Sequence, residues 1–434
     1  MSSGARAKLD GFDGLRALAA LSVVSYHVAL SGKFAQAGSL APLLWELKGG
    51  VAIFFVISGA LLYLPYARAI RDESTLPDWR VYARRRGVRI LPAYWIALTA
   101  VAIGPFGAGV FGSGVWSYYG LSQIYDPQTV LGGLGVAWSL CVEVSFYALL
   151  PVFAWVVGRT AGLPGSRTAV RVELGWIAVA GVASLVLRGA LVGSVTAPFY
   201  DRGQTLMVSL PGLLDWFAIG MALAVLRAEL EAGRASRFPL AVLGRRAWLC
   251  VMLAFGAFMI AIPEQHGDIF LPWYGVATHL AIGIGSGLLV LAAIVPGAPR
   301  TRSWPLRVLA SPVAAWVGAI SYGIYLWHFP ALLLIERAVL PHPASASVTG
   351  LGLVWLVVMG AALVLGAASF YLVERPAQRL LRRRERHELD AALSPRPTVL
   401  ADVQLPERPG LDDQAVQTRL NALNSEGVAA DHLA

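Results

Sequence analysis

Apolar residues in this chain gather into long, almost unbroken runs, and the strongly polar positions fall in the short segments between them. A helix that crosses the hydrocarbon core of a bilayer takes about 20 mostly apolar residues. Runs of that kind lie near 12–31, 47–66, 88–105, 134–158, 172–194, 206–226, 246–263, 270–295, 308–335 and 347–373. The pattern predicts an all-α fold, a polytopic integral membrane bundle of about ten transmembrane helices. Pro92 falls in the first turn of the third run, where a helix tolerates it. From about residue 386 the apolar runs cease, and Pro395, Pro397, Pro406 and Pro409 stand among charged residues. That stretch reads as a disordered cytoplasmic tail, so the expected division is a transmembrane domain over 1–385 and a tail over 386–434. No internal repeat of fixed period is visible, which counts against a transporter built from repeated halves.

Composition agrees with the pattern. Of 434 residues 57% are hydrophobic and only 14% charged, and the mean hydropathy is +0.62. This is more apolar surface than one soluble core uses. The net charge of +9 raises the possibility of nucleic acid, but the arginines stand between apolar runs and form no basic domain, so no nucleic-acid partner is expected. Their placement follows the positive-inside rule. The segments around Arg6/Lys8, Arg68–Arg89, Arg159–Arg171, Arg227–Arg246, Arg300–Arg307 and Arg375–Arg384 are rich in arginine, and the alternate segments are poor in it. Both termini are therefore expected in the cytoplasm, in contact with membrane lipid only along the spans. Arg6, Lys8 and the triplet Ala35-Gln36-Ala37 imitate a cleaved signal peptide, but Asp13, Arg16 and His27 interrupt its apolar stretch. Cys141 and Cys250 lie in apolar surroundings at no metal-ligand spacing. They read as reduced structural thiols, and no metal is expected. The excess of Arg, Ala and Gly over Lys points to a GC-rich bacterial genome.

Ionisable groups inside spans are functional-site candidates, because each carries a desolvation cost. Arg16 and His27 stand eleven residues apart in FDGLRALAALSVVSYHV, which places them within about 20° of one helical face and roughly 16 Å apart along the axis. The pair fits a charged head and a reactive end of one elongated ligand, with His27 as general base; it fits equally a packing histidine and a snorkelling arginine. Arg86 and Arg89 share a face in RRRGVRILPAYW and, with the third run starting at 88, would offer forked donors near a helix N-terminus. The alternatives are topology-setting charge and binding of anionic lipid. Ser139, Glu143 and Tyr147 recur every fourth residue in WSLCVEVSFY beside Trp138. Glu143 reads either as the acid that orients His27 or as a packing carboxylate paired with an arginine. Tyr325 and His328 in SYGIYLWHFP suit both an interfacial belt and a sugar platform. His266, His279 and His342 lack such company and read as loop or packing histidines, and Glu374-Arg375-Pro376 reads as the structural end of the last span.

Taken in order, DGLRALAALSVVSYH, GGVAIFFVISGALL, RRRGVRILPAYW, WSLCVEVSFYALLP and SYGIYLWHFP resemble the membrane acyltransferase-3 family over roughly residues 10–380. The resemblance implies a helical bundle of about ten spans in the bacterial cytoplasmic membrane that moves an acyl group, acetyl in the first instance, from cytoplasmic acyl-CoA to an extracytoplasmic hydroxyl. The implied acceptor is a carbohydrate, a glycolipid or a secreted small molecule. It implies His27 as catalytic base, Arg16 as its partner in the Arg-x10-His motif and a further contact to the donor, Arg86 and Arg89 as the donor-binding pair, and Glu143 as the acid of the WSLxxE segment. Tyr325, His328, Ser139 and Trp138 are carried as candidate acceptor contacts, and Trp116, Tyr118, Tyr119 and Tyr125 as residues shaping the acceptor side. Two positions depart from the family pattern. Ala52 stands where an acid is usual, and Asp215 where Glu is common. The stretch after the last span resembles the stand-alone type, without a fused Ser-Gly-Asn-His hydrolase-like domain. A transporter or flippase for a lipid-linked or small hydroxylated molecule, and a non-catalytic receptor, are the rival readings.

Overall fold

Hydrocarbon offers backbone N–H and C=O groups no water, so an apolar run crosses it only as a helix or within a closed barrel. The computed structural model describes residues 11–31, 41–72, 74–104, 109–162, 166–192, 202–234, 238–261, 272–295, 304–339 and 348–393, with no strand among them. The apolar runs form α1 (Phe12–Ser31), α2 (Gly50–Arg71), α3 (Trp79–Ile103), α4 (Trp138–Thr160), α5 (Arg167–Val192), α6 (Leu210–Glu231), α7 (Ala247–Ile260), α8 (Pro272–Ile294), α9 (Ser321–Val339) and α10 (Val348–Ser369). Eight of them, α1 to α6, α8 and α10, are long and apolar enough to span a membrane. A ninth span arises if α9 is joined to the short helix Pro312–Ala319, which meets it at 65°. The chain is a multi-pass membrane protein.

The expectation of ten full spans is corrected at the seventh. α7 has 14 residues, about 21 Å at 1.5 Å per residue, which falls short of a core about 30 Å thick. Residues 262–271 lie outside the described set, as do His266 and His342. The last span also differs from expectation. It does not stop at Glu374-Arg375-Pro376 but passes through one π-helical turn, Phe370–Glu374, into α11 (Arg375–Leu393). The expected tail is thus helical as far as Leu393, and the remainder lies outside the described residues.

Two contacts set the frame. α2 and α6 approach so closely that a Cβ on Gly59 would overlap the carbonyl of Phe217, and one on Gly220 the carbonyl of Val56. Small residues permit this in membranes, where packing takes over from the hydrophobic effect as the driving force. Beside it, Phe217 stacks on Phe55 and Phe146 with centroids 4.7 and 4.1 Å apart, joining α2, α4 and α6. α1 packs against α2 on one side and against α9 and α10 on the other. A single helix therefore joins both core clusters, through Leu15, Ala19 and Val23 on one face and Ala17, Ala20, Val24 and Val28 on another.

At the arginine-rich ends of α2, α5 and α6 an ion network closes the bundle. Arg71 donates to Glu229 (2.6 Å), Glu173 (2.7 Å) and the carbonyl of Ala67 (2.6 Å). Arg68 makes two bonds of 2.8 Å to Glu231, which also receives Arg227. Arg71 and Arg227 were expected as loop charges that set topology; both are buried. Removing one partner of a buried pair leaves the other charged and uncompensated, at about 3–5 kcal/mol. Arg71→Ala is therefore expected to destabilise the protein by about that amount, read as a fall in the thermal midpoint of the detergent-solubilised chain relative to Arg80→Ala on the exposed start of α3.

Candidate functional site

α3 begins at Trp79, capped by Asp78, whose side chain accepts from the Arg80 amide at 2.7 Å. The helix thus starts nine residues before the apolar run at 88. Arg86 and Arg89 are consequently two to three turns inside α3, and no helix N-terminus contributes at their position. What they do contribute is a wall. Together with Arg16 of α1 they line a cavity of about 320 Å³ enclosed by α1, α2, α3, α4 and α9. The Arg86 guanidinium lies over the Tyr82 ring at 5.9 Å, and its Nε is buried with no hydrogen-bond partner among the described residues.

One carboxylate faces the same space, that of Glu143. The i, i+4 spacing on α4 brings Tyr147 beneath it, and the Tyr147 hydroxyl donates to Glu143 Oε1 at 2.6 Å. Ser58 of α2 donates to the same oxygen at 2.7 Å. Glu143 takes these hydrogen bonds from hydroxyls. The acid nearest Arg16 is Asp13, 3.6 Å away and half exposed. Three guanidiniums against one carboxylate leave the lining with a surplus of two positive charges. In a water-poor interior that surplus favours an anionic ligand.

His27 does not line this cavity and is not held by Glu143. Its partner is His328, buried on α9, whose Nε2 is 3.2 Å from His27 Nδ1. The proton positions follow from the other partners. His328 Nδ1 is 2.8 Å from the carbonyl of Tyr325, and His27 Nδ1 is 2.9 Å from the carbonyl of Val23. Carbonyls only accept, so each Nδ1 carries a hydrogen. His328 Nε2 is then the acceptor for His27, and His27 Nε2 keeps a free electron pair. The His27 ring is flanked edge-on by Tyr26 and Phe329, with centroids 5.2 and 5.5 Å away.

Tyr325 and Ser139 both line the cavity, but their hydroxyls are engaged with each other and with the chain. Tyr325 donates to the carbonyl of Val136 at 2.7 Å, and Ser139 lies 2.7 Å from the Tyr325 oxygen. Tyr325 also carries His328, with rings 5.8 Å apart on successive turns. The histidine pair therefore sits about one turn beyond the arginine cavity. Trp138 is half-buried at the start of α4. Ala52 is fully buried. Asp215 is away from the cavity, within 3.0 Å of His279 on α8 and bonded to Ser184 at 3.1 Å. His279, expected as a histidine without company, has this acid and a Trp216 ring stacked at 4.3 Å. Ser58, Tyr322 and the buried Glu46 carry no signal in the sequence that separates them from ordinary helix residues. Among the described residues no group of three or more His, Cys, Asp or Glu could hold a metal ion.

The model of the acyltransferase-3 family, described as an acyltransferase domain, matches residues 9–372. A Bacillus subtilis protein provisionally named a peptidoglycan O-acetyltransferase is 26% identical over 391 residues, 85% of this chain and 54% of its own length. The peptidoglycan O-acetyltransferase OatA of Listeria monocytogenes is 24% identical over 344 residues, 76% of this chain and 50% of its own. The chain thus spans about half the length of these two relatives. The acyltransferase MdmB of Streptomyces mycarofaciens is 26% identical over 394 residues, covering 87% of this chain and 93% of that one. No solved structure matches the chain.

The histidine assignment has a direct check. In bilayers at neutral pH, ¹⁵N-histidine spectra are expected to show a protonated Nδ1 and a bare Nε2 for both His27 and His328, identified by loss of each signal in His27→Gln and His328→Gln. A protonated Nε2 on His27 would refute the arrangement.

Proposed function

We propose, from the premise that the chain belongs to the acyltransferase-3 family, that it is an O-acyltransferase of a bacterial cytoplasmic membrane that moves an acyl group, acetyl in the first instance, from acyl-CoA to an extracytoplasmic carbohydrate hydroxyl. The observation that carries this reading is the pairing of a three-arginine cavity with a base-competent imidazole about one turn beyond it. The orphaned Arg86 Nε and the surplus of positive charge fit the phosphates of coenzyme A. The arginine-rich start of α3 fits the cytoplasmic side. The roughly 16 Å that separates Arg16 from His27 along α1 suits a donor with a charged head and a remote thioester. Relatives named as O-acetyltransferases support acetyl as the group and a glycan as the acceptor.

The chain's own groups account for the proton and the charge. His27 Nε2 takes the proton of the acceptor hydroxyl as its oxygen attacks the thioester carbonyl. The C–O bond forms, the C–S bond breaks, and the thiolate leaves with the proton returned from His27. While His27 is charged, Val23 and His328 hold its Nδ1–H, the role a carboxylate fills in hydrolase triads. Glu143 acts on the arginine wall, where Ser58 and Tyr147 keep its position.

Two variants test the reading in membranes supplied with radiolabelled acetyl-CoA, with base-labile acyl ester counted in the glycan and glycolipid fractions. His27→Ala is expected to abolish ester formation at normal expression, and near-normal turnover in it would sink the assignment. Arg86→Ala removes a charge-assisted contact of about 1.5–3 kcal/mol, so the KM for acetyl-CoA is expected to rise about 10- to 100-fold with a smaller change in kcat.

A further inference from the structure

Three of the five segments that line the arginine cavity also line a second one farther along the bundle. On α9, Tyr322 and Tyr325 face the first cavity, and Phe329, Pro330 and Leu333 face the second. On α3, Arg86 and Arg89 face the first and Val101 the second. In the chain entering α4, Gly135 faces the second and Ser139 and Glu143 the first. At 1.5 Å per residue the positions differ by about 6–17 Å on α9, about 18–22 Å on α3 and about 6–12 Å in the chain entering α4. His27 and His328 fall between. His328 stands on α9 between Tyr325 and Phe329, and Phe329 is both a wall of the second cavity and the edge-on neighbour of His27.

The second cavity holds about 320 Å³, near the lower bound of small-molecule pockets. Its floor is the glycine-rich segment Leu131–Gly135, and two of the three glycines there have reasons internal to the fold. A Cβ on Gly132 would overlap the Tyr118 hydroxyl, and Gly133 has φ +63°, where glycine alone is unstrained. Gly135 has neither. Its φ is not positive, and a Cβ there would make only an ordinary 3.5 Å contact with Phe329. The missing side chain leaves space in the pocket and nothing else. Among the described residues no acidic side chain lines this space, and the one charged group that does is Arg337.

We propose that this second cavity is the acceptor subsite, that it takes a single hydroxylated ring the size of one sugar, and that Gly135 keeps it open. The proposal rests on the acyltransfer reading and adds to it the place and size of the acceptor. A ring seated over Leu131–Gly135 and against Phe329 would approach the histidine layer past Phe329, from the side opposite the arginines, so that donor and acceptor meet at His27 from different cavities. Gly135 and Leu333 then decide which rings fit.

Strains carrying the variants in place of the native gene test this, with base-labile ester on envelope glycans and glycolipids read by mass, and with coenzyme A as the probe in thermal-shift measurements on the purified proteins. Gly135→Trp and Leu333→Trp fill the pocket. Each is expected to lower the ester at least tenfold while keeping the wild-type thermal shift with coenzyme A, and Gly135→Ala is expected to stay within twofold of wild type. Ester at the wild-type level in both tryptophan variants overturns the subsite. So does loss of the coenzyme A shift in both, since the cavity would then belong to donor binding or to packing. His27→Ala separates the two levels of failure. Ester equal in wild type and His27→Ala refutes the acyltransfer reading itself, whereas ester abolished in His27→Ala but intact in both tryptophan variants refutes only the outer subsite.

Discussion

Holding three guanidiniums around one cavity in a water-poor bundle is the constraint on which the remaining structure depends. At an effective dielectric of about 20, like charges lining one small cavity repel by on the order of a few kcal/mol per pair. Such a cluster relaxes unless its scaffold is stiff. The α2–α6 contact at Gly59 and Gly220, the stacked Phe55, Phe217 and Phe146 rings and the Arg71 network supply that stiffness from three directions. Glu143, held through its Oε1 by the Ser58 and Tyr147 hydroxyls, offsets one of the three charges and leaves two. The positive potential is thus kept for whatever enters the cavity.

Most of the fold was legible in the sequence because it follows from one variable, the length of the apolar runs. Nine of the ten expected spans correspond to helices or a bent helix pair of membrane length. α7 fails because hydropathy registers composition, and 14 apolar residues score well without being long enough. The start of α3 was missed for the converse reason. Trp79 to Gly87 is polar yet helical, fixed by the Asp78 cap and by packing, so a hydropathy boundary at 88 set Arg86 and Arg89 too near the helix end.

The site was legible where its residues share a helix. The eleven-residue spacing of Arg16 and His27 and the four-residue spacing of Glu143 and Tyr147 need only helical geometry. Contacts between distant segments were not. His27 and His328 meet across 301 positions, and Asp215 and His279 across 64. Nothing local in α1 indicates that its imidazole is matched by another imidazole and not by Glu143. Tyr325 illustrates a subtler limit. Its place beside the cavity follows from its motif, but the use of its hydroxyl on the Val136 carbonyl depends on a turn 189 residues away.

The paired histidines have a consequence for the membrane itself. An imidazole placed between two cavities of a membrane bundle is a step in a proton leak, and a cell that stores energy as a proton gradient would lose it there. The arrangement narrows that route to a single nitrogen. A proton passed from His27 to His328 Nε2 has no onward acceptor, because the far nitrogen of His328 already spends its hydrogen on the carbonyls of Tyr325 and Ile324, and a peptide carbonyl does not carry a proton onward. Charge that arrives at His27 Nε2 has to leave by that same atom. The backbone thereby closes the branch through His328 and leaves one atom, His27 Nε2, as both entry and exit for a proton.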